Sequence, residues 1–241
     1  MAIVASIAAA SLAIAQSQVW EVISIKPNRG NSTDSNLDSA PGGRLTATNI
    51  TVRELIRLAY GVKDYQIERS PGWVDGDRFD INAKNASGKT TTLDGERSQV
   101  RVLLEDRFRL ATHRETKQGS VYLLVVGKNG AKLTPRDGSG SGTRKGCGHL
   151  TGTRLTADTI ATVLSRQLDR DVLNRTDLPG KYDFVLDWTP DSGPCPVAEG
   201  DPPVRPSFFT AIQQQLGLKL EPGKGPVETL IIDHIERPSE N

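Results

Sequence analysis

Apolar positions recur at helical spacing twice in the chain, and each time a short threonine-rich strand pattern precedes them. In GRLTATNITVRELIRLAYGV, residues Val52, Leu55, Ile56 and Ala59 stand at i, i+3, i+4 and i+7, one face of an α-helix. In GHLTGTRLTADTIATVLSRQL the same spacing is kept by Ala157, Ile160, Ala161 and Leu164. Thr51 followed by Glu54 predicts a capping box ahead of the first helix, whereas Thr156 predicts a cap without the reciprocal glutamate. Upstream, VWEVISIKP alternates Trp20, Val22 and Ser24 against Glu21, Ile23 and Ile25. Its β-branched content predicts a largely buried strand that Pro27 stops. The polar stretch NRGNSTDSNLDSAPGG then reads as loop.

The two helical sentences are close copies. At an offset of 105, Gly43 matches Gly148, Leu45 matches Leu150, Thr46 matches Thr151 and Thr48 matches Thr153, followed by Ile50 with Leu155 and Thr51 with Thr156. Beyond the helices, Phe79-Asp80-Ile81 lies over Tyr182-Asp183-Phe184, and Val121–Val126 lies over Val227–Ile232. Each half therefore reads as strand, helix, one or two strands, helix, then a strand pair joined by a turn. The expectation is an α+β fold of two tandem, sequence-related repeats, with helices packed on mainly antiparallel sheets. The expected divisions are a signal peptide over 1–15, a first repeat with its leading strand over 16–130, a linker loop over 131–146 and a second repeat over 147–241. Two domains and one intertwined domain both fit this pattern.

Composition narrows the compartment and the partners more than the chemistry. The 36% hydrophobic and 24% charged fractions are those of a globular protein, and 241 residues suffice for a real core. A net charge of +1 gives no electrostatic reason to expect nucleic acid as a partner. The stretch from Ala2 to Ala15 is apolar or small and uncharged, and Ala13-Ile14-Ala15 has the small-x-small form of a cleavage site. It is shorter than the roughly 20 apolar residues of a membrane-spanning helix, so export without a stable span after cleavage is expected. The resulting location is periplasmic or secreted. Cys147 and Cys195 both sit in Gly/Pro-rich text, and in an oxidising compartment they are expected to form one disulfide. A metal site of Cys147, His149 and Cys195 is the weaker alternative, because Cys-x-His is not a usual structural-zinc spacing.

No catalytic signature is present. His113, His149 and His234 are scattered outside any metalloprotease spacing, and no nucleophile elbow or phosphate-binding glycine loop occurs. Asp75, Asp77 and Asp80 cluster in WVDGDRFD but lack the remaining ligands of a calcium loop; they read as a turn and a strand with Arg78 nearby to pair. Arg97, Arg101, Arg107, Arg109 and Arg114 alternate with acids, which predicts a solvated mixed-charge face. No catalytic, cofactor-binding or metal-ligating residue is assigned, and no cofactor is expected. The candidate binding surface consists of Trp73, Arg78, Tyr182 and Trp188, since exposed aromatics stack on sugars or anchor peptides. Packing under each half's turn competes with that reading, because aromatics make up only 5% of the chain.

The stretches ISIKPN, PGGRLTATNITVRELIRLAYGVKDYQIERSPGWVDGDRFDINAK, LLEDRFRLATHRET, LNRTDLPGKYDFVLDWTPD and FTAIQQQLGLKLEPGKGPVETLIIDHIERPSEN follow one another in order. Together they resemble an exported family of unknown function that is expanded in acidobacteria, the Solibacter-type conserved hypothetical proteins. The resemblance implies no activity or site residue. Some relatives are joined to membrane metallopeptidase receptors of the antibiotic-sensing type, which implies a sensing or ligand-binding role outside the membrane. The second half is also similar, at the level of fold, to the β-α-β modules at the N-termini of secretins and TonB-dependent receptors, which bind partner proteins. Two functions are therefore expected as alternatives. One is a non-catalytic periplasmic module that binds an envelope protein or peptide, tied to envelope sensing. The other is an exported hydrolase with an unrecognised active site.

Overall fold

The computed structural model describes residues 20–40, 42–86, 92–191 and 205–239. In chain order its elements are β1 (Trp20–Asn28), β2 (Asn36–Ala40), β3 (Arg44–Thr51), α1 (Val52–Tyr60), β4 (Ile67–Glu68), α2 (Gly72–Gly76), β5 (Arg78–Asn85), α3 (Leu93–Phe108) and β6 (Ala111–Val126). There follow β7 (Thr134–Pro135), β8 (Gly142–Gly146), β9 (His149–Leu155), α4 (Ala157–Ser165), β10 (Val172–Asn174), β11 (Tyr182–Asp187), α5 (Phe208–Ala211) and β12 (Leu218–His234). The architecture is α+β. Two compact units form: one holds the described residues up to Asp64 with Arg69–Thr112 and everything from Ile232, the other holds Tyr65–Glu68 and His113–Ile231.

In the first unit four antiparallel strands run in the order β1-β5-β3-β2. The helical stripe predicted for α1 is the buried one: Val52, Leu55, Ile56 and Ala59 are all sealed in the core. Thr51 and Glu54 form the predicted capping box, and Gly61 closes the helix with φ 64°. On α3, Val100, Leu103, Leu104 and Phe108 are buried, and Phe108 meets Phe79 of β5 edge to face at 5.6 Å. Burial of these apolar faces is the main favourable term holding helices on sheet.

Two local expectations change here. Pro27 does not stop β1; it pairs with Phe79 inside the strand. An outermost strand has one unpaired side, where the missing N–H of proline costs no ladder bond. A register shift between Trp20 and Val22 also breaks the alternation, so Trp20 and Ile25 are both buried. The stretch read as pure loop contains β2, whose polar side chains are mostly exposed while its backbone pairs with β3.

The second unit contains two sheets. One is antiparallel in the order β7-β11-β9-β8, with α4 burying Ala157, Ile160, Ala161 and Leu164. The other runs β10-β6-β12-β4, with β10 and β4 parallel to their neighbours. Residues 131–146, expected as a linker, thus carry the strands β7 and β8. Where a strand, a turn and a second strand are expected, β6 and β12 are each continuous, and Pro222 and Pro226 lie inside β12. The short β4 pairs only with Leu230 and Ile231, which leaves the proline segment of β12 with an unpaired side.

The sheets β1-β5-β3-β2 and β7-β11-β9-β8 agree in detail as well as order. In each, a strand carries near its end a bulged residue at positive φ, Asn49 at 57° and Arg154 at 51°. Each of these donates its backbone N–H to an aspartate on the neighbouring strand, Asp80 at 2.9 Å and Asp183 at 2.7 Å. The glycines that open the two strands also match. Gly43 accepts from Asn85 N at 2.8 Å and Gly148 from Trp188 N at 2.9 Å. Gly43 has φ 72°, and a Cβ there would collide with the Asn85 side chain.

Candidate functional site

Among the described residues, a cavity of about 560 Å³ opens in the first unit where β1 ends and β5 begins. That is the size of a small-molecule site. Its walls are Pro27–Ser32, Gly76–Phe79, Arg237 and Pro238. The wall is shaped from behind by a polar hub. Asp80 accepts from Asn28 Nδ2 at 2.8 Å and from Asn49 N at 2.9 Å. Asn28 Oδ1 in turn accepts from Gly30 N at 2.8 Å and turns the chain out of β1.

Asn49 does most to hold the rim. Its side chain is buried, with 3% of the residue exposed, and Nδ2 donates at 2.8 Å to the carbonyls of both Ser32 and Asp34. Its own carbonyl accepts from Arg78 Nη1 at 2.6 Å. The two Nδ2 bonds commit the 28–34 loop to one path, while Asn49 Oδ1 is buried without a partner among the described residues. On the opposite wall Arg237 lies 5.1 Å from the Trp73 ring centroid and donates from Nε to Asp77 Oδ2 at 2.8 Å. The ion pair is exposed, so it and the ring contact favour this position of the guanidinium only weakly.

The four residues expected at a binding surface are not brought together. Arg78 lines the cavity and Trp73, half-buried, backs Arg237. Tyr182 and Trp188 are core residues of the second unit, 9% and 6% exposed. The Tyr182 hydroxyl donates to Pro179 O at 2.6 Å, and Trp188 packs on Phe208 edge to face at 5.1 Å. Neither offers a face to a ligand.

The acidic cluster also separates. Asp75 pairs with Arg53, Asp77 with Arg237, and Asp80 with Asn28 and Asn49, while Arg78 turns to a backbone carbonyl instead. The arginines read as a solvated face are partly structural. Arg101 Nε donates to Ala59 O at 2.7 Å and Arg107 Nη2 to Ile23 O at 3.0 Å. Sequence reasoning misses Asn28, Asn49 and Arg237. Asparagine inside strand-like text was the one local signal, and Arg237 had none.

The histidines each meet a carboxylate. His113 Nε2 lies 3.0 Å from Glu115 Oε1, and His234 Nε2 lies 2.8 Å from Glu236 Oε1, both on exposed strand positions. The hydrogen bond from His113, with that from Lys117, holds the Glu115 carboxyl below its ordinary pKa of 4.5. His149 Nδ1 lies 2.7 Å from Asp187 Oδ1, and Gln215 clamps the Asp187 backbone through both its N–H and its carbonyl. Among the described residues, no group of three or more His, Cys, Asp or Glu side chains is placed to hold a metal ion. The expected disulfide falls on Cys195, which lies outside the described residues, as does the segment 1–15. Among the described residues no helix is long and apolar enough to cross a membrane.

An α+β protein with two like-patterned antiparallel sheets and an arginine-walled cleft beside the first is the class defined by fold and site. The chain belongs to the family described as protein of unknown function (DUF3738), whose model matches residues 53–235. No curated protein and no solved structure matches it.

Proposed function

We propose that this chain is an exported binding module and that the cleft of the first unit receives its ligand. One observation carries the reading. The cleft wall behind Arg78 is held by part-buried hydrogen bonds, and among the described residues Arg78 and Arg237 spend few of their N–H donors on the protein. A site that is rigid before binding loses little entropy on binding.

The uncharged stretch ending at Ala15 supports export, and the Gly/Pro-rich sequence around Cys147 and Cys195 supports a disulfide in an oxidising compartment. The shared strand order, bulge and aspartate of the two antiparallel sheets support an origin by tandem duplication. The extended likeness to acidobacterial exported proteins supports a periplasmic setting and a role in envelope sensing, with a peptide or a segment of an envelope protein as ligand. Amide NMR of the chain from Gln16 onward, titrated with short peptides and small metabolites, tests the proposal. Shifts gathered at Asn28–Ser32, Gly76–Phe79 and Arg237 are expected; shifts confined to other places would remove the cleft from consideration.

A second reading, an exported hydrolase, is favoured by the His149–Asp187 pair alone. A carboxylate at Nδ1 is the arrangement that orients a histidine base. It requires turnover on peptide or glycan panels that His149→Ala abolishes.

A further inference from the structure

We infer that the cleft beside β1 and β5 is an oxyanion site, and that its ligand presents a carboxylate or phosphate group to Arg78 and Arg237. The inference rests on the reading of this cleft as the ligand site and names the chemistry it selects. Among the described residues, three arginines line the cavity, Arg29, Arg78 and Arg237, against one acidic residue, Asp77, while the Glu54 carboxylate also acts on Arg78. Asp77 is already engaged by Arg237 Nε. Asp80, behind the wall, is already supplied with donors by Asn28 and by the Asn49 backbone. What remains for a ligand is therefore an excess of positive charge and of N–H donors.

A guanidinium has several N–H donors and no acceptor, in a planar fork that matches two oxygens of one anion. Arg78 places one bond on Asn49 O, and Arg237 places one on Asp77 and its face on Trp73. Asn28 has used both ends of its amide on Asp80 and Gly30. A sugar or another neutral polyol needs acceptors as well as donors, and this wall supplies few. The neighbouring cavity of about 320 Å³, which shares Arg237 and Pro238, sets Asp106 and Glu236 against Arg107 and Arg109. Charge there is nearer balance, which singles out the larger cleft.

The molecule contains its own control. The sheet of the second unit repeats the strand order, the bulge and the aspartate, and there Arg136 Nε lies 3.7 Å from Asp183 Oδ2. The residue before β11, in the position of Arg78, is Lys181, which reaches Gly138 O at 3.3 Å. The residue at the bulge, in the position of Asn49, is Arg154, which is drawn to Gly140 O. Gly180 stands where Asp77 would be. Folding the sheet thus explains Asp80 and Asp183, a cation precedes the strand in both units, and Arg237 and Asp77 are additions particular to one cleft.

Calorimetric titration of the chain from Gln16 onward, at constant ionic strength in chloride, tests this with sodium phosphate, sodium succinate, triglycine and triglycinamide. At least one of the first three is expected to saturate, and triglycinamide is not. Phosphate alone identifies a phosphoryl ligand, succinate alone a small dicarboxylate, and triglycine a peptide C-terminus. Arg237→Gln is expected to weaken the responding probe by roughly tenfold or more, since a charge-assisted bond is lost. Arg78→Lys keeps the charge but loses the fork, and is expected to weaken it by a smaller factor. The Arg237 side chain is 61% exposed, so its replacement leaves the fold intact, which a urea midpoint checks. Anion binding that Arg237→Gln and Arg78→Lys leave unchanged overturns the inference. If triglycinamide moves the cleft amides in NMR and no anion does, the oxyanion inference falls and the ligand cleft stands. If no probe of either kind moves them, both fall.

Discussion

Asn49 sits at φ 57°, where the Cβ of an ordinary residue crowds the backbone and asparagine is among the few that settle. Its amide then holds two carbonyls of the cleft loop, so conformation and hydrogen bonding favour the same residue. Replacing it separates the two effects. Asn49→Ala is expected to cost about 2–4 kcal/mol, from unpaired buried groups and left-handed strain together. Asn49→Gly is expected to cost about 1 kcal/mol less, because glycine carries no such strain. Urea midpoints at equal slope measure the pair, and equal losses would show that the amide alone matters. Local text does not reveal this role, since asparagine in TATNIT reads equally well as a turn former. Arg237 is less legible still: its partner Asp77 is 160 residues away in sequence.

The helices are the elements whose local code is most complete. Thr51 Oγ1 accepts from Glu54 N at 3.2 Å and Glu54 Oε2 accepts from Thr51 N at 2.8 Å, the reciprocal bonds that the spacing predicts. Burial works against the Glu54 carboxylate, but hydrogen bonds from Ser35 and from the Thr51 backbone and hydroxyl outweigh it and hold its pKa below the ordinary 4.5. The folded state therefore binds this proton less readily than the unfolded chain. Its contribution is complete above about pH 4.5 and is lost as pH falls through the lower folded value. Thr51→Ala and Thr156→Ala are each expected to cost about 1 kcal/mol at neutral pH. Glu54→Gln should destabilise at pH 7 and do so progressively less below pH 4.5, as read from denaturation midpoints across pH. A Glu54→Gln deficit that does not shrink on acidification would remove the ionised capping box from the account of α1. Strands are less readable: Lys117–Ser120 looks like a turn, yet β6 runs through it, because an exposed strand needs pairing partners rather than an apolar alternation.

For the molecule as a whole, the two like-patterned sheets lie one in each compact unit, and the units draw on separated stretches of the chain. The proposal of an exported, cross-linked protein makes a prediction at this scale. Expressed with residues 1–15 in place in a Gram-negative host, the chain should be recovered from the periplasm beginning at Gln16, by intact mass. Unfolded without reductant, it should resist thiol alkylation, since Cys147 and Cys195 are its two cysteines. A cytoplasmic protein that keeps residues 1–15 and accepts two alkyl groups would contradict both parts. Closing a loop of that length would stabilise the fold by roughly 2–4 kcal/mol, so Cys147→Ser should lower the urea midpoint by a matching amount.

Periodicity, caps and matching text lie between neighbouring residues. The stripes Val52–Ala59 and Ala157–Leu164, the threonine caps and the likeness of the two halves are therefore legible in the chain alone. The same local code is silent about which polar group faces which. Tyr182 and Trp188 resemble Trp73 as sequence, yet two of the three are core and the third supports a cleft, because burial depends on what folds over a side chain. The cleft itself joins the end of β1, the turn before β5 and the segment after β12. Contacts across such separations leave no periodic trace in the sequence, so the arginine wall comes into being only when the chain closes on itself.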